Sequence, residues 1–182
     1  MDNLVNVFKR WVEKRRTVHK NKELCSRYPF LIPWNRFTGE LHIDRSDWGR
    51  MKANKLYDWS YTELDAMPQG WRKAFGIQMC DDLLNALIED DDVDRWRIVQ
   101  MKEKYGQLRL YDNGHKSGSV IPFIISKYEG ISERTCIHCG APATRITLGW
   151  ISPYCDKCCP EGNSMPIDEF FEEEKDERNT SN

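Results

Sequence analysis

With 182 residues, 40% of them hydrophobic and seven of them tryptophan, the chain has enough apolar side chains for one domain, or one domain with a small appended module, around a real core. Charged residues make up 31% and mean hydropathy is -0.71, and no apolar run approaches the roughly 18 residues that a membrane-spanning helix needs. The net charge of -2 and pI near 6.1 fall short of the basic balance of a duplex nucleic-acid binder.

That small net charge conceals two charged ends. Residues 1–22 carry seven basic side chains against Asp2 and Glu13, and residues 165–182 carry seven acids against Lys175 and Arg178. In the first segment Leu4, Val5, Phe8, Trp11, Val12 and Val18 recur in steps of one, three and four, which predicts an amphipathic helix over 2–23. Lys9, Arg10, Arg15 and Arg16 lie on its other face, either as a solvated side or as contacts for nucleic acid or an acidic partner. These charges also interrupt any apolar leader, so secretion is not expected.

Tyr28-Pro-Phe-Leu-Ile-Pro33-Trp34 reads as an extended apolar segment across the core, since each proline disfavours helix in the residue before it. A turn at 35–39, a short strand at 40–44 and a loop at 45–58 follow. Thr62 with Asp65 is a near-miss of the capping box. The longest predicted helix spans 69–90, with Trp71, Phe75, Met79, Leu83, Leu84, Leu87 and Ile88 as its core stripe. Asp81 and Asp82 lie on its other face, and Glu89 to Asp92 end it as a solvated acidic cluster. Residues 96–102 and 107–111 alternate as two strands around a Lys104-Tyr105-Gly106 turn. Trp96, Ile98, Gln100 and Lys102 are expected on one face, and Arg97, Val99 and Met101 on the other. Ile121, Ile124, Ile125 and Tyr128 mark another helix, with Gly130 as its expected C-cap.

The most specific signal is Cys136-x2-Cys139 and Cys155-x2-Cys158, separated by residues 140–154, the spacing at which four thiolates close a tetrahedral zinc site. Residues 143–154 read as a short hairpin turning at Gly149, with Trp150 and Ile151 expected to dock the module on the body. Cys159 is a second choice for the last ligand, and Cys25 and Cys80 read as buried small hydrophobes. Seven cysteines without a leader point to a reducing compartment and metal ligation. The fold class expected is α+β: helices packed on a small antiparallel hairpin, with a C-terminal four-cysteine zinc ribbon. Its parts are a basic amphipathic helix at 1–24, an α+β body at 25–134, the ribbon at 135–160 and a flexible acidic tail at 161–182 with Phe170 and Phe171 as stickers.

The strings Tyr28-Pro-Phe-Leu-Ile-Pro-Trp-Asn-Arg36, Tyr61-Thr-Glu-Leu-Asp65, Gly70-Trp-Arg-Lys-Ala-Phe-Gly76, Lys102-Glu-Lys-Tyr-Gly106 and Cys136-Ile-His-Cys-Gly140 with Gly149-Trp-Ile-Ser-Pro-Tyr-Cys155 resemble a family of small zinc-ribbon-containing proteins of tailed bacteriophages and prophages. The resemblance covers roughly 28–158. It brings no activity to carry over; it implies a cytoplasmic setting in an infected bacterium.

Four thiolates saturate zinc and leave no open position, the mark of a structural site. The first functional expectation is therefore a zinc-binding protein that acts by binding a host target: a host or defence protein, or a signalling nucleotide. A nucleic-acid-binding ribbon using Arg145 with the N-terminal basic residues is the second. The third is an enzyme gripping phosphate or carboxylate through Asn35, Arg36, Tyr61, Asp65, Arg72, Tyr105 and Arg109. Its four histidines stand singly, and no P-loop, nucleophile elbow or dinucleotide fingerprint occurs. A rubredoxin-like iron site is a further reading of four sulfurs. No membrane partner is expected, and a homo-oligomer is left open.

Overall fold

The computed structural model describes residues 4–33 and 59–180; the expected turn at 35–39, strand at 40–44 and loop at 45–58, with Asn35 and Arg36, lie outside the described residues. The chain is α+β, with small antiparallel sheets and a C-terminal cluster of four cysteines.

Helix α1 (Leu4–Arg27) runs through the expected boundary at 24 because its last turns enter the core. Asn21, Cys25 and the following Tyr28 are buried, whereas residues 6–20 are exposed or half-exposed on every side. Pro29 then stops the helix, since it has no N–H to donate. The segment after it is not wholly extended as expected: Pro29–Leu31 forms one 3-10 turn, which tolerates proline at its first position. Ile32 before Pro33 returns to extended backbone, and Phe30 and Leu31 are fully buried. The Phe30 ring stands edge-on to Trp96 at 5.4 Å.

A second 3-10 turn, Glu63–Ala66, shows why the near-miss capping box works. The Asp65 carboxylate accepts from the Thr62 N–H at 2.7 Å and from its hydroxyl at 2.9 Å. In so tight a turn the shorter acid suffices where an α-helix favours Glu or Gln. After Pro68 the chain runs continuously helical through α2 (Gln69–Trp71), a π segment (Arg72–Gly76) and α3 (Ile77–Glu89). Trp71, Phe75, Met79, Leu83 and Leu87 are buried. A stripe stepping by four drifts about 40° per step around an α-helix, and the wider π turn takes back part of that drift. Ile88, expected in the stripe, lies outside it at 60% exposure.

The charges of this helix are engaged, not simply solvated. Asp81 accepts from Arg27 and, at 2.6 Å, from the Tyr28 hydroxyl. Asp82 accepts from Lys127 at 2.8 Å and the Tyr128 hydroxyl at 2.7 Å. The two aspartates thereby clamp α1 and α4 (Ile121–Glu133) to α3. Cys25 and Cys80 are buried as expected, and burial, reinforced by Asp81, pushes the Cys80 thiol up to about 12. The acidic cluster at the end of α3 also differs from a solvated one. The Lys116 ammonium donates to the Asp90 and Asp91 carbonyls, placing a cation where the helix dipole favours it, and Asp92 is buried against Arg95.

Strands β1 (Ile98–Lys104) and β2 (Gln107–Asp112) form an antiparallel hairpin. Tyr105 and Gly106, at φ 53° and 77°, make the two-residue turn whose twist matches the strands. The register shifts between Ile98 and Gln100. This bulge resets the alternation, so Ile98 and Met101, expected on opposite faces, are both buried. Helix α4 passes through Gly130 instead of ending there. The cost of a helical glycine, about 1 kcal/mol, is offset beyond it by Ser132, whose buried hydroxyl accepts the Leu108 N–H at 2.8 Å. Glu129 similarly accepts the Leu110 N–H at 3.3 Å, so α4 covers the free edge of β2.

The C-terminal module has β3 (Arg145–Thr147) between β4 (Ser152–Tyr154) and β5 (Ser164–Pro166). In place of the expected flexible tail, β5 extends the ribbon sheet and α5 (Ile167–Thr180) follows it. Ile167 is buried, and Phe170 and Phe171 pack beside it, which is why polar composition alone misjudged this segment. Among the described residues no helix is long and apolar enough to cross a membrane.

A four-cysteine candidate metal centre

The two knuckles are built by backbone turns. The Gly140 N–H donates to the Cys136 carbonyl at 3.0 Å, and the Cys158 and Cys159 N–H groups both donate to the Cys155 carbonyl at 3.0 Å. A second layer closes the first knuckle and ties it to β4: Cys136 N–H to Ala141 O at 2.7 Å, and Ile137 N–H to Pro153 O at 2.9 Å. The four sulfurs of Cys136, Cys139, Cys155 and Cys158 consequently lie within 4.8 Å of one another. Cys159 falls outside that group, as its position one step round the turn requires.

The donor set fits a tetrahedral ion. A metal–sulfur bond of about 2.3 Å implies sulfur–sulfur edges of about 3.8 Å, and Cys139 and Cys155 stand at 3.7 Å. As thiols the four share hydrogen bonds unequally. Burial works to raise the Cys136 thiol, but the N–H groups of Cys155, Cys139 and His138 aimed at it bring it down to about 7. Hydrogen bonds with Cys155 and Cys139 hold Cys158 up to about 12. His138 thus serves the centre through its backbone, consistent with a residue that fills the turn.

The module meets the body mainly through its first knuckle. Of the two residues expected to dock, Trp150 is 80% exposed, whereas Ile151 does lie against Gly106 of the β1–β2 turn. At the knuckle the Gly70 N–H donates to Ile137 O at 3.0 Å, and the buried Trp71 indole N–H donates to Thr135 O at 2.8 Å. Backbone meets backbone here. A Cβ on Gly70 would stand 2.3 Å from the Cys136 carbonyl oxygen, and one on Gly140 would stand 2.6 Å from the Gly70 carbonyl oxygen. Gly140 also sits at φ 84°, a left-handed conformation that side chains resist. The packing of one glycine on the other carries no local signal, so the sequence gives no warning of this joint.

The other expected site residues sort into separate places. Asp65 and Arg72 form an ion pair, with Tyr61 half-buried just before them. Arg109 pairs instead with Glu129 at 3.3 Å, and Tyr105 stands 74% exposed at the hairpin turn. Arg145, expected to face nucleic acid, is tied to the Ser164 hydroxyl and carbonyl and so joins β3 to β5. On α1, Lys9, Arg10, Arg15 and Arg16 are exposed, with the Arg15 guanidinium 4.6 Å above the Trp11 ring.

No protein-family model matches the chain, and neither does any curated protein or solved structure.

Proposed function

We propose that this is a binding protein whose Cys136–Cys139–Cys155–Cys158 centre holds one structural zinc ion. The observation that carries the reading is the convergence of four sulfurs within 4.8 Å. Four thiolates complete a tetrahedral shell, so the metal supplies folding free energy and no open coordination position.

The partner we propose is a host target inside an infected bacterium's cytoplasm: a host or defence protein, or a signalling nucleotide. The resemblance to tailed-phage proteins supports this setting. The enzyme reading is less well supported, since Asp65–Arg72 and Arg109–Glu129 pair separately.

The test is metal analysis and native mass spectrometry of the chain purified from its bacterial host. One zinc per chain, lost on chelation together with the ordered ribbon, is the expected result. A colourless chain whose fold ignores chelation refutes the structural-zinc reading, and a red, visibly absorbing chain replaces zinc with iron.

A further inference from the structure

Among the described residues, the outer face of the β1–β2 hairpin carries exposed or half-buried side chains and none of the buried core. Register places Lys102 opposite Arg109 and Lys104 opposite Gln107, on the side away from buried Met101, Leu108 and Leu110. Lys102 and Lys104 thus stand on one small face, with Arg109 beside them held by Glu129. The Lys102 ammonium lies 5.3 Å from the centre of the Tyr111 ring, and Lys104 lies 5.3 Å from that of Tyr105. Tyr111 is 46% exposed.

The hairpin tip continues this surface onto the ribbon. A Cβ on Gly106 would touch the Ile151 side chain at 3.3 Å and Pro153 at 3.4 Å, so the Tyr105 turn rests on the residues directly after Trp150. Tyr105 and Trp150 are thereby neighbouring tips, exposed at 74% and 80%. Neither ring is spent on packing, and Tyr105 holds its place despite a left-handed φ of 53°, where Asn or Gly is the ordinary choice.

Exposed rings interleaved with cations on a shallow face match the chemistry of unpaired bases and their phosphates. Each ring offers a stacking surface to any base, and the ammonium groups pair with the backbone. A duplex keeps its bases stacked out of reach of such rings, and two lysines on a chain of net charge -2 give it little else to hold. A protein partner of ordinary size calls for a broad apolar centre, whereas the rings here are separated by charged side chains.

We propose that the outer face of the β1–β2 hairpin, with Tyr105 and Trp150 at the joined tips, binds single-stranded nucleic acid. This goes beyond the host-target reading above by assigning a separate surface and partner, and does not depend on which metal fills the cysteine centre.

The test is fluorescence anisotropy of labelled oligo(dT) and oligo(rU) of about 12 nucleotides with the full, metal-loaded chain, beside a duplex control. Binding of the single strands over the duplex is expected, with a log–log salt slope of about -1.4 for two phosphate contacts, by Lys102 and Lys104. Trp150→Ala and Tyr105→Asn should each weaken it about tenfold. Tyr105→Asn should at the same time raise the thermal midpoint, because asparagine accepts the left-handed turn; a purely structural role for Tyr105 would not separate the two readouts. Lys102→Gln with Lys104→Gln should bring the slope close to zero.

A folded, zinc-loaded chain that ignores the oligonucleotides overturns the inference and leaves the zinc reading standing. Equal binding by the Tyr105 and Trp150 variants, or preference for duplex, overturns it too. Single-strand binding by a chain that folds without metal upholds this inference and removes the zinc reading.

Discussion

The body and the ribbon solve the problem of staying folded by different means. The body buries Trp71, Trp96, Tyr28, Tyr128 and Phe30 together with a continuous aliphatic core, and its polar groups clamp one helix to another. The ribbon's own apolar core is Ala143, Ile146 and Ile167. Burying a large aliphatic side chain contributes about 1.5–3 kcal/mol, and so few of them cannot order three short strands and two knuckles. The contrast teaches where a metal would act: an ion held by the four cysteines would stand in for a core that the module is too small to build.

The sharpest way to break this contrast is to remove the metal. Chelation, or Cys136→Ser, should unfold the ribbon while leaving the body helical, with a loss on the order of 10 kcal/mol of metal-coupled folding energy. Hydrogen exchange should show amides of residues 135–166 losing protection and those of α3 keeping theirs. Uniform loss would mean that the two regions are one cooperative unit. Acid should act in the same direction, because protons compete with the metal for the thiolates.

Next in size is the join between the regions. Gly70→Ala drives a methyl into the Cys136 carbonyl and should cost about 3 kcal/mol, with weaker zinc retention as its companion readout. Retained stability and zinc affinity would show that the knuckle can shift away from the helix. Trp71→Phe keeps most of the ring but strands the Thr135 carbonyl, and should cost about 2 kcal/mol by denaturant midpoint.

A smaller effect belongs to the body alone. Hydrogen bonds from Lys127 and then Tyr128 hold the Asp82 carboxyl below its ordinary range. A depressed folded-state value means stability that is present above the unfolded carboxyl's range and is lost as pH falls through the folded one. Asp82→Asn should therefore flatten part of the acid limb and cost about 1 kcal/mol at neutral pH, with zinc content unchanged. Smallest of all, Trp150→Ala should move stability by no more than about 0.5 kcal/mol, since its ring is 80% exposed; a larger loss would make it a structural residue after all.

Much of this was legible in the chain itself. Periodicity placed α1, the long helix from 69, the hairpin and α4, because each has a stripe or an alternation long enough to rise above chance. Cysteine spacing picked out the four-cysteine cluster, since the geometry of a tetrahedral ion sets the spacing of turns that could hold one. Signals failed where a distant residue set the outcome. Gly130 looked like a cap until buried Ser132 extended the helix past it. The acidic tail read as flexible until Ile167 found a partner in the ribbon's small core. The bulge between Ile98 and Gln100 turned Met101 inward, although nothing local in β1 required it.

Local sequence, then, determined the elements and the ligands, because hydrophobic period, proline, turn chemistry and thiol spacing act over a few neighbouring residues. Tertiary structure alone decided how the ribbon seats on the body. That joint is made by two glycine backbones, Gly70 and Gly140, meeting far apart in the chain, and a missing side chain announces no partner. The same holds for Tyr105 and Trp150. Sequence puts Tyr105 in one turn and Trp150 just after another, and only the packing of Gly106 on Ile151 brings those two turns together.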